Sequence, residues 1–238
     1  VVRKYFDTLR NTYSFFALYA NIDQVAEEAE NQGLSIEQYL EKKAGPPERF
    51  DRWITSRYHT LVREVTGYFD NYEITHSVRS IQSFVIDELS NWYVRTNRRR
   101  FWAKADDPSK MRAYLTLYRI LVGVCRLTAP VTPFVSELIF KELMGENRAK
   151  YGLPLSVHMT DYPQPDETQI DTELEESMEL TQKVVSLGRA ARSRKNLKVR
   201  QPLSRILIAL PKQADQQLME EYTDIIKEEL NIKEVVFS

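Results

Sequence analysis

Apolar residues recur three and four positions apart along most of residues 1–145, and this spacing limits the kind of fold that the chain can adopt. Side chains at i, i+3 and i+4 share one face of an α-helix, so each such stripe predicts an amphipathic helix. The predicted long helices are 2–16, 47–68, 78–92, 108–128 and 133–145, with a polar linker and one short helix at 21–47. Because most joints between them are short, an antiparallel helix bundle is the economical arrangement.

The composition changes after residue 150, where three prolines interrupt the helical pattern. Seven acidic residues between 166 and 179 then open a further predicted helix, whose N-terminal dipole end they favour. Beyond it, 204–210 and 232–238 have the composition of strands, and 212–230 predicts a helix between them. Strand, helix and strand in this order indicate a right-handed crossover unit. We therefore predict a mainly α protein with a helix-bundle domain at 1–164 and a small α/β module at 165–238.

Overall composition excludes several classes of protein. Hydrophobic residues make up 42% of the chain and charged residues 28%, as in ordinary globular proteins. No apolar run is long enough to span a membrane, we expect no signal peptide, and the single cysteine, Cys125, excludes an intramolecular disulfide. We expect a cytoplasmic protein in which Cys125 is an inert core thiol. Since the chain opens with Val1 inside a periodic helix, we expect it to be a fragment of a longer protein.

No arrangement of residues in the sequence predicts a catalytic or metal site. The three histidines, His59, His76 and His158, lie far apart, and none has a carboxylate or cysteine at the spacing of metal ligands. The seven glycines are scattered singly, so no phosphate-binding glycine loop is present. Paired carboxylates occur only in acidic helical runs, which are usually solvated. We therefore predict no catalytic residue and no metal ligand.

A first basic cluster lies in the stretch SNWYVRTNRRRFW, residues 90–102. On an α-helix the apolar stripe through Trp92 continues to Arg99, which predicts a partly buried ion pair for Arg99. Arg98 points away from this stripe and is the best candidate for a phosphate contact. Trp92 and Phe84 are expected in the core, and Trp102 either at the core edge or as a stacking platform. The alternative is that these arginines only complement the dipole at a helix C-terminus.

A second basic cluster occupies residues 183–203 and contains seven cationic residues and no acid. Its members are Lys183, Arg189, Arg192, Arg194, Lys195, Lys198 and Arg200. A solvated helix face normally mixes signs to gain i,i+4 pairs, so this segregation is informative in a chain of net charge −1. Two explanations suffice: the acidic run at 166–179 folds against the cluster, or an external polyanion neutralises it.

Several long strings in the chain are similar to those of one protein family. RNTYSFFALYANID, DRWITSR, LSNWYVRTNRRRFW, LTAPVTPFVSELIF and LGRAARSRKNLKVRQPLSR resemble, in this order, the C-terminal half of isoleucyl-tRNA synthetases, a class I aminoacyl-tRNA synthetase family. NWYVR and KVRQPL are the most specific. The resemblance implies a helix-bundle anticodon-binding domain and the start of the C-terminal region. Neither of the two catalytic motifs of the family occurs, so we expect the fragment alone not to be catalytic.

The resemblance also implies partners and cofactors. The parent enzyme would attach isoleucine to its tRNA with ATP and magnesium, whereas this fragment would hold the tRNA without a cofactor, as a monomer. Arginine and lysine would bind phosphates, and unstacked bases would supply specificity. The residues predicted to contact RNA are Arg10, Asn11, Arg95, Arg98, Arg100, Trp102, Arg192, Arg194, Lys195, Lys198 and Arg200. The alternatives are a helical protein-interaction or scaffold domain without RNA function, and the equivalent domain of a valyl or leucyl relative.

Overall fold

A computed structural model describes residues 2–210 and 219–237 and divides the chain into two compact units. The first unit is Val1–Ile170 and the second is Asp171–Ser238. The first is a helix bundle and the second a small α/β module, which confirms the predicted fold class. The domain boundary proposed from the sequence at 164/165 stays a prediction.

The first unit is built almost entirely of helices. Its helices are α1 (Val2–Ile22), α2 (Val25–Asn31), α3 (Ile36–Lys43), α4 (Arg49–Asp70), α5 (Ile74–Ser83), α6 (Arg98–Phe101), α7 (Pro108–Thr128) and α8 (Pro133–Met144). The linker predicted at 21–47 holds two short helices, α2 and α3, instead of one. The five predicted long helices are present, with ends displaced by a few residues except where a cap fixes them.

Local sequence signals explain where the helices begin and end. Asp107 caps α7 by accepting a hydrogen bond from the Lys110 N–H, and Pro108 follows at the first helical position. Ser35 and Gln38 form a reciprocal capping box at the start of α3. Gly145 ends α8 with a φ of 78°, a conformation that favours glycine.

The core of the bundle is dominated by aromatic side chains. Trp53, Tyr93, Tyr114 and Tyr118 are among its largest fully buried residues. Phe84 and Trp92 are 1% and 6% exposed, which confirms their predicted core positions. Cys125 is buried as predicted, and burial raises the pKa of its thiol to about 12.

The chain continues from α5 as a π-helix over Phe84–Val94, which sequence periodicity did not predict. A π-helix closes its turns with i→i+5 hydrogen bonds, so each turn takes in more residues than an α-helical turn. The residues that follow therefore lie at angles different from those on an α-helical wheel. This change of register decides which of the arginines at 95–100 face the core.

A segment without long helices completes the first unit after α8. It contains 3₁₀ turns at Glu146–Tyr151, Val157–Met159 and Glu167–Gln169. Glu137 of α8 anchors it by accepting hydrogen bonds from Ser156 Oγ and from the Val157 N–H, each 2.9 Å long. Further along the chain, Arg126 of α7 donates to the Asp161 carbonyl.

Within the described residues, the second unit combines a two-stranded parallel sheet with helices. Its elements are α9 (Thr172–Arg194), β1 (Leu203–Ile208), α10 (Thr223–Leu230) and β2 (Ile232–Phe237). Leu203 pairs with Ile232 and Ile208 with Phe237, so both predicted strands form and run parallel. Of the single helix predicted at 212–230, α10 forms the last part, a turn at 221–222 precedes α10, and 211–218 lie outside the described residues.

Candidate nucleic-acid-binding surfaces

A buried ion pair fixes the segment that carries the first basic cluster. Arg100, in α6, donates to both carboxylate oxygens of Asp51 in α4, and both hydrogen bonds are 2.9 Å long. Tyr93 also donates to Asp51, over 2.7 Å, while Ser109 accepts from Arg100 Nε over 2.9 Å. Burial lowers the pKa of Arg100, but Asp51 outweighs it and raises the pKa overall. Burial, and then the charge of Asp51, hold the pKa of the Tyr93 hydroxyl well above its usual range.

The identity of the buried arginine differs from the sequence prediction. With α-helical periodicity, the apolar stripe through Trp92 predicted a partly buried ion pair for Arg99. In the structure Arg99 is exposed, and Arg100 lies at the edge of the core. The physical reason is the π-helix that precedes α6 and shifts the register. Only 12% of the Arg100 side chain is exposed, and its guanidinium donates hydrogen bonds to Asp51, Ser109 and Asn97. This burial favours a role of Arg100 in folding over the contact with RNA that the sequence predicted.

Trp102 lies at the outer edge of the same segment. Its side chain is 62% exposed, and its indole N–H donates to the Tyr19 hydroxyl over 2.8 Å. Of the two positions considered for it, the structure therefore favours the surface. An exposed indole that is held in place by a hydrogen bond is suited to serve as a stacking platform.

Aromatic residues of α1 extend the surface around Trp102. The Phe15 ring lies 5.0 Å from the ring of Tyr19, and the Arg98 guanidinium lies 6.0 Å from the Phe15 ring centroid. Arg98 is exposed, as predicted. Asn11 precedes Phe15 by one helical turn and is exposed on the same face of α1. We call Asn11, Phe15, Tyr19, Arg98 and Trp102 the α6 surface. Its aromatic members on α1, Phe15 and Tyr19, were not predicted from the sequence.

A second buried ion pair holds the chain directly after Trp102. Lys110 of α7 is only 3% exposed, and its ammonium lies 2.5 Å from a carboxylate oxygen of Asp23. The same ammonium donates to the Ala103 carbonyl over 2.9 Å. The segment is therefore tied to the bundle on both sides of Trp102, by Arg100 before it and by Lys110 after it. Long-range pairing of this kind leaves no local signal in the sequence.

Arg95 and Arg10, which were also predicted to contact RNA, form weaker contacts within the first unit. Arg95 is partly exposed, donates to the Asn91 carbonyl over 2.7 Å and lies 5.5 Å from the Trp92 ring centroid. Arg10 is exposed on α1, with a guanidinium nitrogen 3.5 Å from Asp7. Contact of Arg95, Arg10 and Asn11 with RNA stays a prediction.

In the second unit, the basic cluster divides into one buried arginine and several exposed cations. Arg192 is 4% exposed, and its guanidinium donates to backbone carbonyls within the unit. This arrangement favours a structural role of Arg192 over the contact with RNA that the sequence predicted. The exposed members that were predicted to contact RNA are Arg194, Lys195, Lys198 and Arg200. Within the described residues, none of these four side chains forms an ion pair.

The acidic run does not neutralise these exposed cations along α9. Glu179 and Arg194 are 15 positions apart in one helix, about 22 Å at 1.5 Å per residue. Near the start of the run, Glu167 pairs with Arg63 in the first unit, over 2.9 Å. Two explanations were given for the lack of acidic residues in the second basic cluster: pairing with the acidic run, or neutralisation by an external polyanion. For the exposed residues Arg194, Lys195, Lys198 and Arg200, the arrangement thus favours an external anion.

The described residues contain no group of three or more histidine, cysteine, aspartate or glutamate side chains that could hold a metal ion. His59 Nδ1 accepts a hydrogen bond from the Asp166 N–H, and burial lowers the pKa of this imidazole. Among the helices within the described ranges, none is long and apolar enough to cross a membrane.

By its architecture the chain is a helix-bundle domain followed by a small α/β module, with exposed cations in each unit. The profile of one protein family, the anticodon-binding domain of tRNA ligase, matches residues 51–208. The chain therefore belongs to this family of anticodon-binding domains.

Several curated proteins are similar to the whole chain. An isoleucine–tRNA ligase of Porphyromonas gingivalis is 42% identical over 237 residues, which cover 100% of this chain and 19% of that protein. An isoleucine–tRNA ligase of Cytophaga hutchinsonii is 43% identical over 238 residues, covering 100% of this chain and 20% of that protein. One from Clostridium kluyveri is 41% identical, covering 99% and 21%. The chain thus spans about a fifth of the length of these relatives.

Proposed function

We propose that this chain is the part of an isoleucine–tRNA ligase that binds the anticodon arm of isoleucine tRNA. The observation that carries the proposal is the exposed cationic side chains in both units of a chain that belongs to the anticodon-binding family. Arg98 is exposed, with its guanidinium 6.0 Å from the Phe15 ring centroid, and Lys195, Lys198 and Arg200 are exposed without a carboxylate partner among the described residues.

Basic and aromatic side chains would have different roles in binding RNA. Arginine and lysine bind phosphate oxygens and set the register, which carries little sequence information. Unstacked anticodon-loop bases supply specificity, because they stack on exposed aromatic faces and form hydrogen bonds through their edges. Trp102 is an exposed aromatic residue of the first basic cluster that could serve in this way. In the parent enzyme, ATP and magnesium would serve a catalytic part outside this chain, in the cytoplasm, and the chain would act as a monomer.

A salt titration tests the phosphate contacts. Each contact steepens the plot of log affinity against log salt concentration by about 0.7 to 0.9. We expect the double variant Arg98→Ala/Lys195→Ala to flatten the slope for an isoleucine tRNA transcript, with its melting temperature almost unchanged. An unchanged slope would remove these two residues from the interface.

Retention in a gel shift tests the identity of the RNA. We expect the isoleucine tRNA transcript to be retained more strongly than the same transcript with an altered anticodon. Preferential retention of a valine or leucine tRNA would assign the chain to a relative with another amino-acid specificity. If no tRNA were retained at any salt concentration, a protein-interaction domain would be the better description.

A further inference from the structure

The loop after α9 is wrapped around a buried cation. The guanidinium of Arg192 donates to the carbonyls of Lys198 and Gln201, over 3.0 and 2.9 Å, and so binds both ends of a four-residue stretch. It also donates to the Leu230 carbonyl over 2.7 Å, at the end of α10. Arg192 therefore joins the loop to the helix that precedes β2.

A second side chain binds the middle of the same stretch. Asn231 has a φ of 50°, and its side-chain amide donates to the carbonyls of Val199 and Arg200, over 3.0 and 3.1 Å. The carbonyls of four consecutive residues, 198–201, are thus all bound by the side chains of Arg192 and Asn231.

The peptide geometry then determines what the loop shows to solvent. In a planar trans peptide the N–H of one residue points opposite to the carbonyl of the residue before it. The N–H groups of Val199 and Arg200 therefore point away from Arg192 and Asn231, and neither donates a hydrogen bond within the described part of the chain. Lys198 and Arg200 are exposed on the same loop. Successive outward N–H groups form a concavity that binds anions.

The charge around the loop favours the same kind of ligand. Arg194 and Lys195 precede it, both exposed, and the cation of Arg192 lies beneath it. The nearby carboxylate of Glu229 is 8% exposed as a residue and is bound by Arg189. The terminal nitrogens of Arg192 donate to backbone carbonyls, and its buried Nε has no hydrogen-bond partner among the described residues. The charge of Arg192 is thus not compensated by a carboxylate among the described residues.

We propose that residues 198–200 form a phosphate-binding loop that grips one or two backbone phosphates of the bound RNA. Its ligand atoms are the outward N–H groups and the Lys198 and Arg200 side chains. Arg192 and Asn231 are positioning residues, which shape the loop without touching RNA. This inference rests on the proposed tRNA binding and adds to it the atoms that hold a phosphate.

The test compares Asn231→Gly with Lys198→Ala/Arg200→Ala in the full chain. Glycine keeps the left-handed backbone of position 231 and removes only the amide that binds the loop. The measurement is the affinity for an isoleucine tRNA transcript as a function of salt, together with a thermal melt. We expect the double variant to lower the salt slope by roughly 1.5, for two contacts. Asn231→Gly should lower it by about one contact, while melting shows that the chain stays folded.

Combining the substitutions separates positioning from a general loss of structure. If Asn231 acts through the loop, Asn231→Gly changes neither the slope nor the affinity further when Lys198 and Arg200 are already alanine. A matched control is Lys183→Ala, which removes an exposed cation of α9 away from the loop and should leave the slope unchanged. A full effect of Asn231→Gly in the double variant would overturn the positioning role.

The failure of this inference is distinguishable from that of the proposed function. If Arg98→Ala weakens binding while Lys198→Ala/Arg200→Ala does not, the chain binds RNA but the loop holds no phosphate. If the double variant weakens binding and Asn231→Gly has no effect, the Lys198 and Arg200 side chains bind RNA without help from Asn231. The proposed positioning of the loop N–H groups would then be wrong. If the unmodified chain retains no tRNA, the proposed function itself fails.

Discussion

Arg100 and Asp51 form a two-point ion pair between α6 and α4, with both hydrogen bonds 2.9 Å long. Asp51 is 1% exposed and also accepts from Tyr93 and from the Glu48 N–H, so no oxygen of this carboxylate is left without a donor. The pair connects residues far apart in sequence and places the arginines and Trp102 around α6. The geometry of the α6 surface therefore depends on a group that does not itself face solvent.

Removing one member of this pair should destabilise the bundle. We expect Arg100→Ala to cost about 3 kcal/mol in the free energy of unfolding, because it leaves a buried carboxylate without its cation. The neighbouring Arg99→Ala, at an exposed position, should change stability by less than about 0.5 kcal/mol. Urea unfolding of the two variants measures the difference. Equal losses would show that Arg100 is no more important for the fold than its exposed neighbour.

Trp102 should contribute to RNA affinity far more than to stability. Base stacking on an aromatic side chain is worth about 1 to 3 kcal/mol, so Trp102→Ala should weaken binding of an isoleucine tRNA transcript by about 5-fold to 150-fold. Trp102→Phe keeps an aromatic face and loses the hydrogen bond to Tyr19, so it should retain most of the affinity. Fluorescence anisotropy measures both. If alanine and phenylalanine had the same effect, stacking would not be the role of this residue.

Much of the fold followed from local sequence signals. Asp107 with Pro108, and Gly145, mark helix ends that the structure reproduces, because capping depends on residues close in sequence. Apolar periodicity likewise placed Phe84 and Trp92 in the core. The π-helix at Phe84–Val94 was not predictable, since the same apolar residues suit both helix types and packing decides between them.

The candidate sites could be predicted from the sequence only in part. Basic composition located both clusters but could not separate Arg100 and Arg192 from the exposed cations beside them. Their partners are Asp51, 49 positions away, and the carbonyl of Leu230, 38 positions away. Only the tertiary fold brings these groups together, so a charged residue inside a basic run carries no local sign of being buried.

The close packing of α4 against α7 depends on the absence of a side chain at Gly123. A Cβ at this position would overlap the phenol ring of Tyr58. We expect Gly123→Ala to destabilise the protein by about 1 to 3 kcal/mol through overpacking. Gly67→Ala is the matched control, because nothing lies within 4 Å of a Cβ there, and it should stabilise α4 by about 0.5 to 1 kcal/mol. Thermal melts of both variants test the contrast, and two shifts of the same sign would contradict it.

Glu137 should make the stability of the first unit depend on pH in the acidic range. Although burial raises its pKa, the Lys141 ammonium and the hydrogen bonds from Val157 and Ser156 outweigh this and lower the pKa below the usual 4.5. A carboxyl whose pKa is lowered by folding stabilises the folded state above its unfolded pKa, and this contribution is lost as the pH falls through the folded pKa.

The variant Glu137→Gln isolates this contribution, since glutamine keeps the shape and has no charge. We expect it to lower stability by about 1 kcal/mol near neutral pH, where the charged hydrogen bonds are complete but Lys141 is half exposed. The difference from the unmodified chain should stay constant down to about pH 5 and shrink below the usual pKa of 4.5, as the native carboxyl is protonated. Unfolding curves at several pH values measure it. A difference that persisted undiminished at pH values well below this range would show that the charge of Glu137 does not anchor the segment after α8.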